Sequence, residues 1–497
     1  MINLFFDTRK LDALARENYE LSEEIMMENA AVALESEVMA HAFSQSGTYM
    51  HRPTVLILAG KGNNGADGYA LARRLICHEI AVFVFESGEP ESDMGKLQKK
   101  RAQKIGVHFI SLYELDSFLE EKSFDLTVIV DCLYGAGFHL PLDAETEAVL
   151  SSVNKNDAYK IACDIPTGID CHGNASPNAF RADSTVTMGA HKVCLYSDFA
   201  RDLCGKISCT NLGISKTNFE NPFVLPDAYL LEQNDIQLPS RRRLNVNKGS
   251  FGHLAVLKGK MDGAATICAK AAFSFGAGLV SLVGENFLSG EYEIIKTTSI
   301  PEKATALALG MGLGNPDTDF EKQLIDSALN FNGPVVCDAD MFHNSKICQF
   351  LKKNKELVLT PHPKEFADLL NLTMDYDNKI SVHDAIENKL NYMKDFCTKY
   401  KDAVLLVKGA VPVISKWNSE ESRVKFYFNP HGTNALAKGG SGDVLAGLIG
   451  SLLAQGYNTL SATVSASLAH SLASQKSESS FSLTPLKLIE YVEYLEK

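Results

Sequence analysis

One junction recurs along this chain of 497 residues. A short apolar run of β type stops at a glycine or a carboxylate, and a helical pattern begins. Residues 54–58 run into Gly60, Gly62 and Gly65, with a helical stretch over 69–77. Residues 80–85 stop at Glu86, residues 126–130 at Asp131 and residues 160–163 at Asp164. Helical patterns fill the intervals, including one over 11–41 that breaks near Glu20 and restarts behind Ser22. Such alternation implies α/β structure, a parallel sheet with helices on both faces, which binds ligands beyond the carboxyl ends of its strands. The loop over 60–68, Asp131 and Asp164 all fall at those ends.

The second half repeats the logic without repeating the sequence. Strand signals at 253–257, 279–283, 306–309, 335–337, 357–359 and 403–407 alternate with helical stretches, one of them over 266–275. Chemistry-bearing residues again sit at the strand ends: Gly310, Gly312 and Gly314; Asp338 and Asp340; His362 between two prolines; Lys408. The last junction is Gly439, Gly440, Ser441, Gly442 and Asp443, ahead of an apolar run over 444–454 that reads as a buried helix. A glycine turn at a helix N-terminus attracts anions, because free N–H groups and the helix dipole point the same way. A carboxylate beside a phosphate is repelled unless it takes a proton there. Asp443 is therefore a candidate general base for phosphoryl transfer. The alternative is plain helix capping by Ser441 or Asp443.

A boundary is expected near 215–230, giving domains over 1–215 and 225–497. Net charge is −13, from 48 basic and 61 acidic residues, which argues against nucleic acid or an anionic membrane as partner. The 11 cysteines are scattered and contain no Cys-x-x-Cys pair, so a reducing compartment without structural zinc is expected. The first residues carry no signal-peptide pattern, and no apolar run reaches the roughly 20 residues of a membrane helix. The expectation is a cytoplasmic protein.

Gly60, Gly62 and Gly65, with Glu86 some twenty residues on, satisfy the dinucleotide-binding fingerprint and make a dehydrogenase a competitor. Against it, Asn63, Asn64 and Asp67 fill a loop in which pyrophosphate needs bare backbone. Amides and carboxylates at strand ends suit a hard monovalent cation or a polar ring better. With the loop over 60–68, the turn from Asp131 to Gly137 and the turn from Asp164 to Asp170, residues 13–192 resemble the YjeF N-terminal domain family, the NAD(P)H-hydrate epimerases. That resemblance implies a Rossmann-like sheet and a potassium site from Asn64, Asp131 and Thr167. It implies substrate contacts from Asn63, Asn64, Gly65, Ala66 and Asp67, from Gly135, Ala136, Gly137, Phe138, His139, Leu140 and Pro141, and from Asp164. Asp131 and Asp164 are the acid–base candidates. Ala66 stands where the family usually has glycine, and Thr167 where it has serine.

The C-terminal motifs, from Lys248 through Gly312, Asp338, His362 and Lys408 to Asp443, resemble the ribokinase-like ADP/ATP-dependent NAD(P)H-hydrate dehydratases. The resemblance implies substrate contacts from Ala264, Gly314, His362 and Asp443. It implies adenine-nucleotide contacts from Lys408, Gly409, Ala410, Val411, Pro412 and Gly442. Lys364, Val411 and Pro412 depart from the family pattern. Together the halves imply a bifunctional repair enzyme. Its substrates would be hydrated NADH and NADPH, its cofactors potassium and, with ADP as co-substrate, magnesium, and its assembly a homo-oligomer. A small-molecule kinase fused to a non-catalytic nucleotide-binding module is the competing class.

Overall fold

The computed structural model describes residues 1–43, 53–78, 80–122, 125–221, 223–287, 290, 292–353 and 356–495. It divides into two compact units, residues 3–227 and residues 228–497 with 1–2.

In the first unit the strands lie in the order His108–Ile110, Ala81–Glu86, Thr54–Ala59, Leu126–Cys132, Tyr159–Cys163, Ser184–Met188 and Lys206–Thr210. All neighbours are parallel. The central strands are buried on both faces, which is why they read as unbroken apolar runs rather than alternating ones. Helices Glu23–Ala42 and Asn63–Leu75 cover one face, where Leu34, Val38, Tyr69 and Leu75 meet Val55, Ile57 and Val130. Helices Leu112–Glu121 and Ala144–Val153 cover the other. Chain order reverses between Thr54–Ala59 and Leu126–Cys132, the point at which a sheet of this kind leaves a crevice beyond its carboxyl ends. The break near Glu20 is real: Glu20 adopts a left-handed conformation at φ 52°, and the Ser22 hydroxyl accepts from the Ile25 N–H to start the next helix. The strand Lys206–Thr210, and the pairing of Leu4 and Phe5 with His191 and Lys192, are additions to the sequence reading.

One element differs more. The helix after the first strand begins at Asn63, six residues before the expected 69. Glycine, asparagine and aspartate are weak helix formers, so the pattern hides the start. In a first helical turn, however, the N–H groups have no helical partner to lose. The glycines serve close packing. A Cβ on Gly65 would lie 1.9 Å from the Gly60 carbonyl oxygen, and one on Gly60 would lie 1.8 Å from that of Leu133.

In the second unit the strand order is Ile295–Thr297, Leu279–Val283, His253–Leu257, Ala306–Leu309, Val335–Cys337, Leu357–Leu359, Val404–Val407, Val413–Asn418, Arg423–Phe428 and Ala228–Leu230. The sheet is parallel except that Val413–Asn418 runs against both neighbours. This hairpin was not expected. Its half-exposed Lys416, Trp417 and Asn418 break the apolar signal. Helix Asp262–Ser274 also starts four residues before the expected 266. Helix Ser441–Ala454 is buried from Val444 to its end, as its composition demands. Gly447 lets it approach helix Asp262–Ser274, since a Cβ there would lie 2.3 Å from the Cys268 carbonyl oxygen.

Candidate active sites

In the first unit, the crevice gathers Asn64, Asp131, Thr167, Asp164 and the turn at Gly135. Asp131 is fully buried. Its carboxylate accepts from the Leu133 N–H (3.1 Å), the Thr167 N–H (2.7 Å) and the Thr167 hydroxyl (2.8 Å). The Thr167 hydroxyl in turn accepts from the Tyr134 N–H at 3.1 Å, and the Asn64 amide donates to the Tyr134 carbonyl at 2.8 Å. Burial raises the Asp131 carboxyl to about 6, and these neutral donors pull it back only in part. An ionised carboxylate held there by neutral donors, with an amide and a hydroxyl beside it, is an all-oxygen donor set that fits a hard cation.

Asp164 stands at the next strand end with φ 71°, a conformation that side chains other than glycine rarely adopt. One carboxylate oxygen accepts from Lys192 Nζ (2.6 Å), the Met188 N–H (3.0 Å) and the Thr187 hydroxyl (3.1 Å). The other faces Gly135, 3.6 Å from where a Cβ would stand. Lys192 is 1% exposed, and its ammonium also donates to Thr187 and to the Met188 carbonyl. Burial disfavours its charge, yet Asp164 more than compensates and raises it. Burial, then the charges of Asp164 and Asp12, push Asp67 well above the usual carboxylate range. Burial likewise lifts Asp12 to about 6 against the pull of Lys192. The buried ammonium thus pairs with Asp164 and acts on Asp12, while Asp67 feels the charges of both carboxylates.

Other expected contacts are placed unevenly. Asn63, Gly137, His139 and Pro141 are exposed, with Gly135, Ala136 and Leu140 half-buried. Phe138 turns its ring inward and stacks on Tyr134 at 5.3 Å. Ala66 packs its methyl with Met27, Ala31 and Ala70, away from the crevice, so the departure from glycine fills an apolar gap. The dinucleotide fingerprint also loses its acid: Glu86 accepts from the Tyr69 hydroxyl at 2.7 Å and pairs with Lys99 at 2.9 Å.

In the second unit, helix Ser441–Ala454 begins behind Gly440 at φ 89°, and no side chain caps it. The capping role considered for Ser441 and Asp443 is not what they do. The N–H groups of Gly442 and Asp443 meet no acceptor among the described residues. Burial, then the neighbouring Asp338 charge, lifts Asp443 to about 6 against the pull of Lys408. Asp338, 2% exposed, accepts from Lys408 Nζ at 2.6 Å and from the Thr360 hydroxyl at 2.9 Å. A Cβ on Gly442 would stand 3.1 Å from Lys408 Nζ and 3.6 Å from Asp338, so the helix start comes close to this pair at a residue without a side chain. Asp340 accepts from the Gly314 N–H at 2.8 Å, and Gly312 abuts Ala264. His362 caps helix Pro363–Thr373 by accepting from the Glu365 N–H at 3.3 Å. Burial and then Lys408 lower its pKa. Gly409 and Ala410 are exposed, Pro412 is half-buried, and Val411 is fully buried.

Two family models match the chain: YjeF-related protein N-terminus over residues 23–194 and NAD(P)H-hydrate dehydratase over 254–493. The bifunctional NAD(P)H-hydrate repair enzyme Nnr of Helicobacter pylori is 41% identical over 501 residues, spanning 100% of both chains. The chain belongs to the bifunctional NAD(P)H-hydrate repair enzyme family. The Coxiella burnetii relative of the same name is 31% identical and covers 85% of each chain. A Bacillus subtilis ADP/ATP-dependent NAD(P)H-hydrate dehydratase co-crystallised with ATP and Mg2+ is similar over 54% of this chain and 98% of its own. It is 22% identical, with a TM-score of 0.44.

In this member of the repair-enzyme family, sequence reasoning missed four residues of the two sites. Lys192 closes the stretch that resembles the epimerases, in a strand pattern over 182–192 that ends on this basic residue. Glu365, lifted to about 7 chiefly by burial, lay inside the histidine motif without a role. Asp12 and His470 sit in ordinary helical patterns and carried none. No helix among the described residues is long and apolar enough to cross a membrane.

Proposed function

We propose that this chain repairs hydrated nicotinamide nucleotides in two steps. The first unit interconverts the R and S hydrates of NADH and NADPH. The second dehydrates the S form with ADP, releasing AMP and phosphate. The observation that carries this reading is the position of Asp443. It stands at an uncapped helix start, beside a lysine that a buried aspartate holds in place, on a chain matched end to end by repair enzymes.

A hydroxyl is a poor leaving group. As the hydrate's oxygen attacks the terminal phosphorus of ADP, Asp443 takes its proton and AMP departs. The N–H groups of Gly442 and Asp443 hold the charge that develops on the phosphoryl oxygens; one such donor contributes roughly 3 kcal/mol in a transition state. Lys408 adds a point charge at the same place. The phosphate ester then eliminates: the C–O bond breaks, a ring proton is lost, and conjugation returns. Magnesium would travel on the nucleotide's phosphates, close to Asp338 and Asp340, each of which has one oxygen engaged by the protein.

In the first unit Asp164 is the better acid–base group. One oxygen is anchored and the other faces the Gly135 turn, whereas both oxygens of Asp131 are engaged by the protein. Asp131, Asn64 and Thr167 would hold potassium, which supplies positive charge beside the buried carboxylate and fixes the turn.

The test is incubation of mixed R and S hydrates with ADP, following recovery of reduced-nicotinamide absorbance. Full recovery from both epimers is expected. A stable phosphorylated product without recovered absorbance would replace this reading with a kinase.

A further inference from the structure

Turning one hydrate into its epimer needs an acid and a base at once. The R and S forms differ at the ring carbon that carries the hydroxyl, beside the ring nitrogen. One group must give a proton to the hydroxyl on one face, and another must take a proton from water on the other. Asp164 has the surroundings of the base. The ammonium of Lys192, 1% exposed, stands 2.6 Å from one of its oxygens, and the Met188 N–H and Thr187 hydroxyl donate to that same oxygen. The second oxygen is left toward the Gly135 turn.

Asp67 has the opposite surroundings. It lies in the first turn of helix Asn63–Leu75, at the same end of the sheet, and is half-buried. Among the described residues its carboxyl meets no cation and no backbone N–H. Its one hydrogen-bond neighbour is the Cys163 thiol, 4.0 Å from Oδ2 and one residue before Asp164. The thiols that feel its charge, Cys132 and Cys163, are both raised, Cys132 by burial and Cys163 by its contact with Cys132 and then burial, so they stay neutral. The charges that reach Asp67 are those of Asp164 and Asp12, which add to burial in holding its proton on. Carboxyl groups whose surroundings drive their protonation apart are how one site keeps an acid and a base together.

We propose that Asp67 is a catalytic residue of the first unit, the acid that works with Asp164 as base, and that Lys192 is the positioning residue that keeps the two roles apart. Asp67 gives its proton to the hydroxyl. The C–O bond breaks, water leaves, and the lone pair of the ring nitrogen forms a C=N bond. Water then adds to the other face of that carbon, the C=N pair returns to nitrogen, and Asp164 takes the proton. One proton has passed from Asp67 to Asp164, and exchange with solvent restores both. This inference rests on the epimerase reading of the first unit.

The experiment follows R-to-S conversion by the full chain without ADP, above the uncatalysed rate, with the epimers separated by chromatography. The wild-type rate should be bell-shaped in pH. It falls at low pH as Asp164 takes up a proton, and at high pH as Asp67 loses its own. Asp67→Asn should lower kcat about a hundredfold or more, the scale of a lost acid, with KM within about twofold and the melting transition of the first unit kept. Lys192→Met should move the low-pH limb upward by about one unit or more and leave the high-pH limb in place. A lysine that only supports the fold would lower the rate without moving either limb, and that result removes its positioning role. A wild-type rate with no high-pH limb overturns the proposal, whether or not a variant folds. So does an Asp67→Asn enzyme that loses activity through KM alone, or that keeps more than about a tenth of the wild-type kcat. Absence of interconversion by the wild type at every pH would instead overturn the epimerase reading.

Discussion

Both units place an aspartate–lysine pair at a strand end, each 2.6 Å apart, but with opposite burial. In the first, the lysine is sealed: Lys192 is 1% exposed and Asp164 14%. In the second, the carboxylate is sealed: Asp338 is 2% exposed and Lys408 21%. In each pair the buried member anchors and the other is the more exposed. The first unit thus presents negative charge, which suits moving a proton or meeting a cation. The second presents positive charge beside bare N–H groups, which suits a phosphate. The helix starts follow the same division. Asn63, Asn64 and Asp67 load the first with side-chain groups, whereas Gly439, Gly440 and Gly442 leave the second open.

If the two faces serve separate steps, they can be broken separately. The largest effect is expected at Asp443. Asp443→Asn should lower the dehydration rate about a thousandfold, the scale of a lost general base, with nucleotide binding and epimerisation intact. Substantial residual dehydration would remove the base assignment.

Next comes the asymmetry of the pairs. Removing the exposed member strands a buried charge, which typically costs about 3–5 kcal/mol, whereas removing the buried member leaves a charge that water can reach. Asp164→Asn should therefore destabilise the first unit more than Lys192→Met, and Lys408→Met the second more than Asp338→Asn. Chemical denaturation measures both orders; a reversed order in either unit would break the comparison.

The pH profile is a smaller effect. A base must be ionised, and Asp443 is raised to about 6. Dehydration should rise with pH through that region and level above it, losing about tenfold for each unit below. A flat profile between pH 5 and 7, with the fold intact, would contradict this.

Potassium gives the smallest shift. It should raise the melting temperature of the first unit by roughly 2–5 °C at pH 8, relative to an equal concentration of a bulky organic cation. Asp131 is raised to about 6 when no cation is present, so protons compete with the ion, and the benefit should fade as pH falls through that value. Asp131→Asn should abolish it. A pH-independent gain would place the ion elsewhere.

Much of this was legible before the structure, and the misses share a cause. Strands 253–257, 306–309, 335–337 and 357–359 coincide with the elements observed, because unbroken apolar runs bounded by turns have few other solutions in a parallel sheet. Both early helix starts read as a loop or glycine turn in the sequence, since glycine and aspartate, and at 63–64 asparagine, weaken the pattern although the backbone is helical. The hairpin at 413–428 is hidden by less buried, largely polar residues toward its turn.

Local order alone specified where the chain turns, which turns carry glycine or aspartate, and that each half winds strand and helix alternately. These follow from side-chain period and from the conformational freedom of a few residues. Which groups meet was decided only in three dimensions. Asp164 finds Lys192 28 residues on, Asp338 finds Lys408 70 residues on, and Ser441 finds His470 29 residues on. A hydrogen bond of this kind depends on which strands and helices become neighbours. So does the burial that raises Asp131 and Asp443 and lowers His470, because desolvation belongs to the packed fold and not to any stretch of sequence.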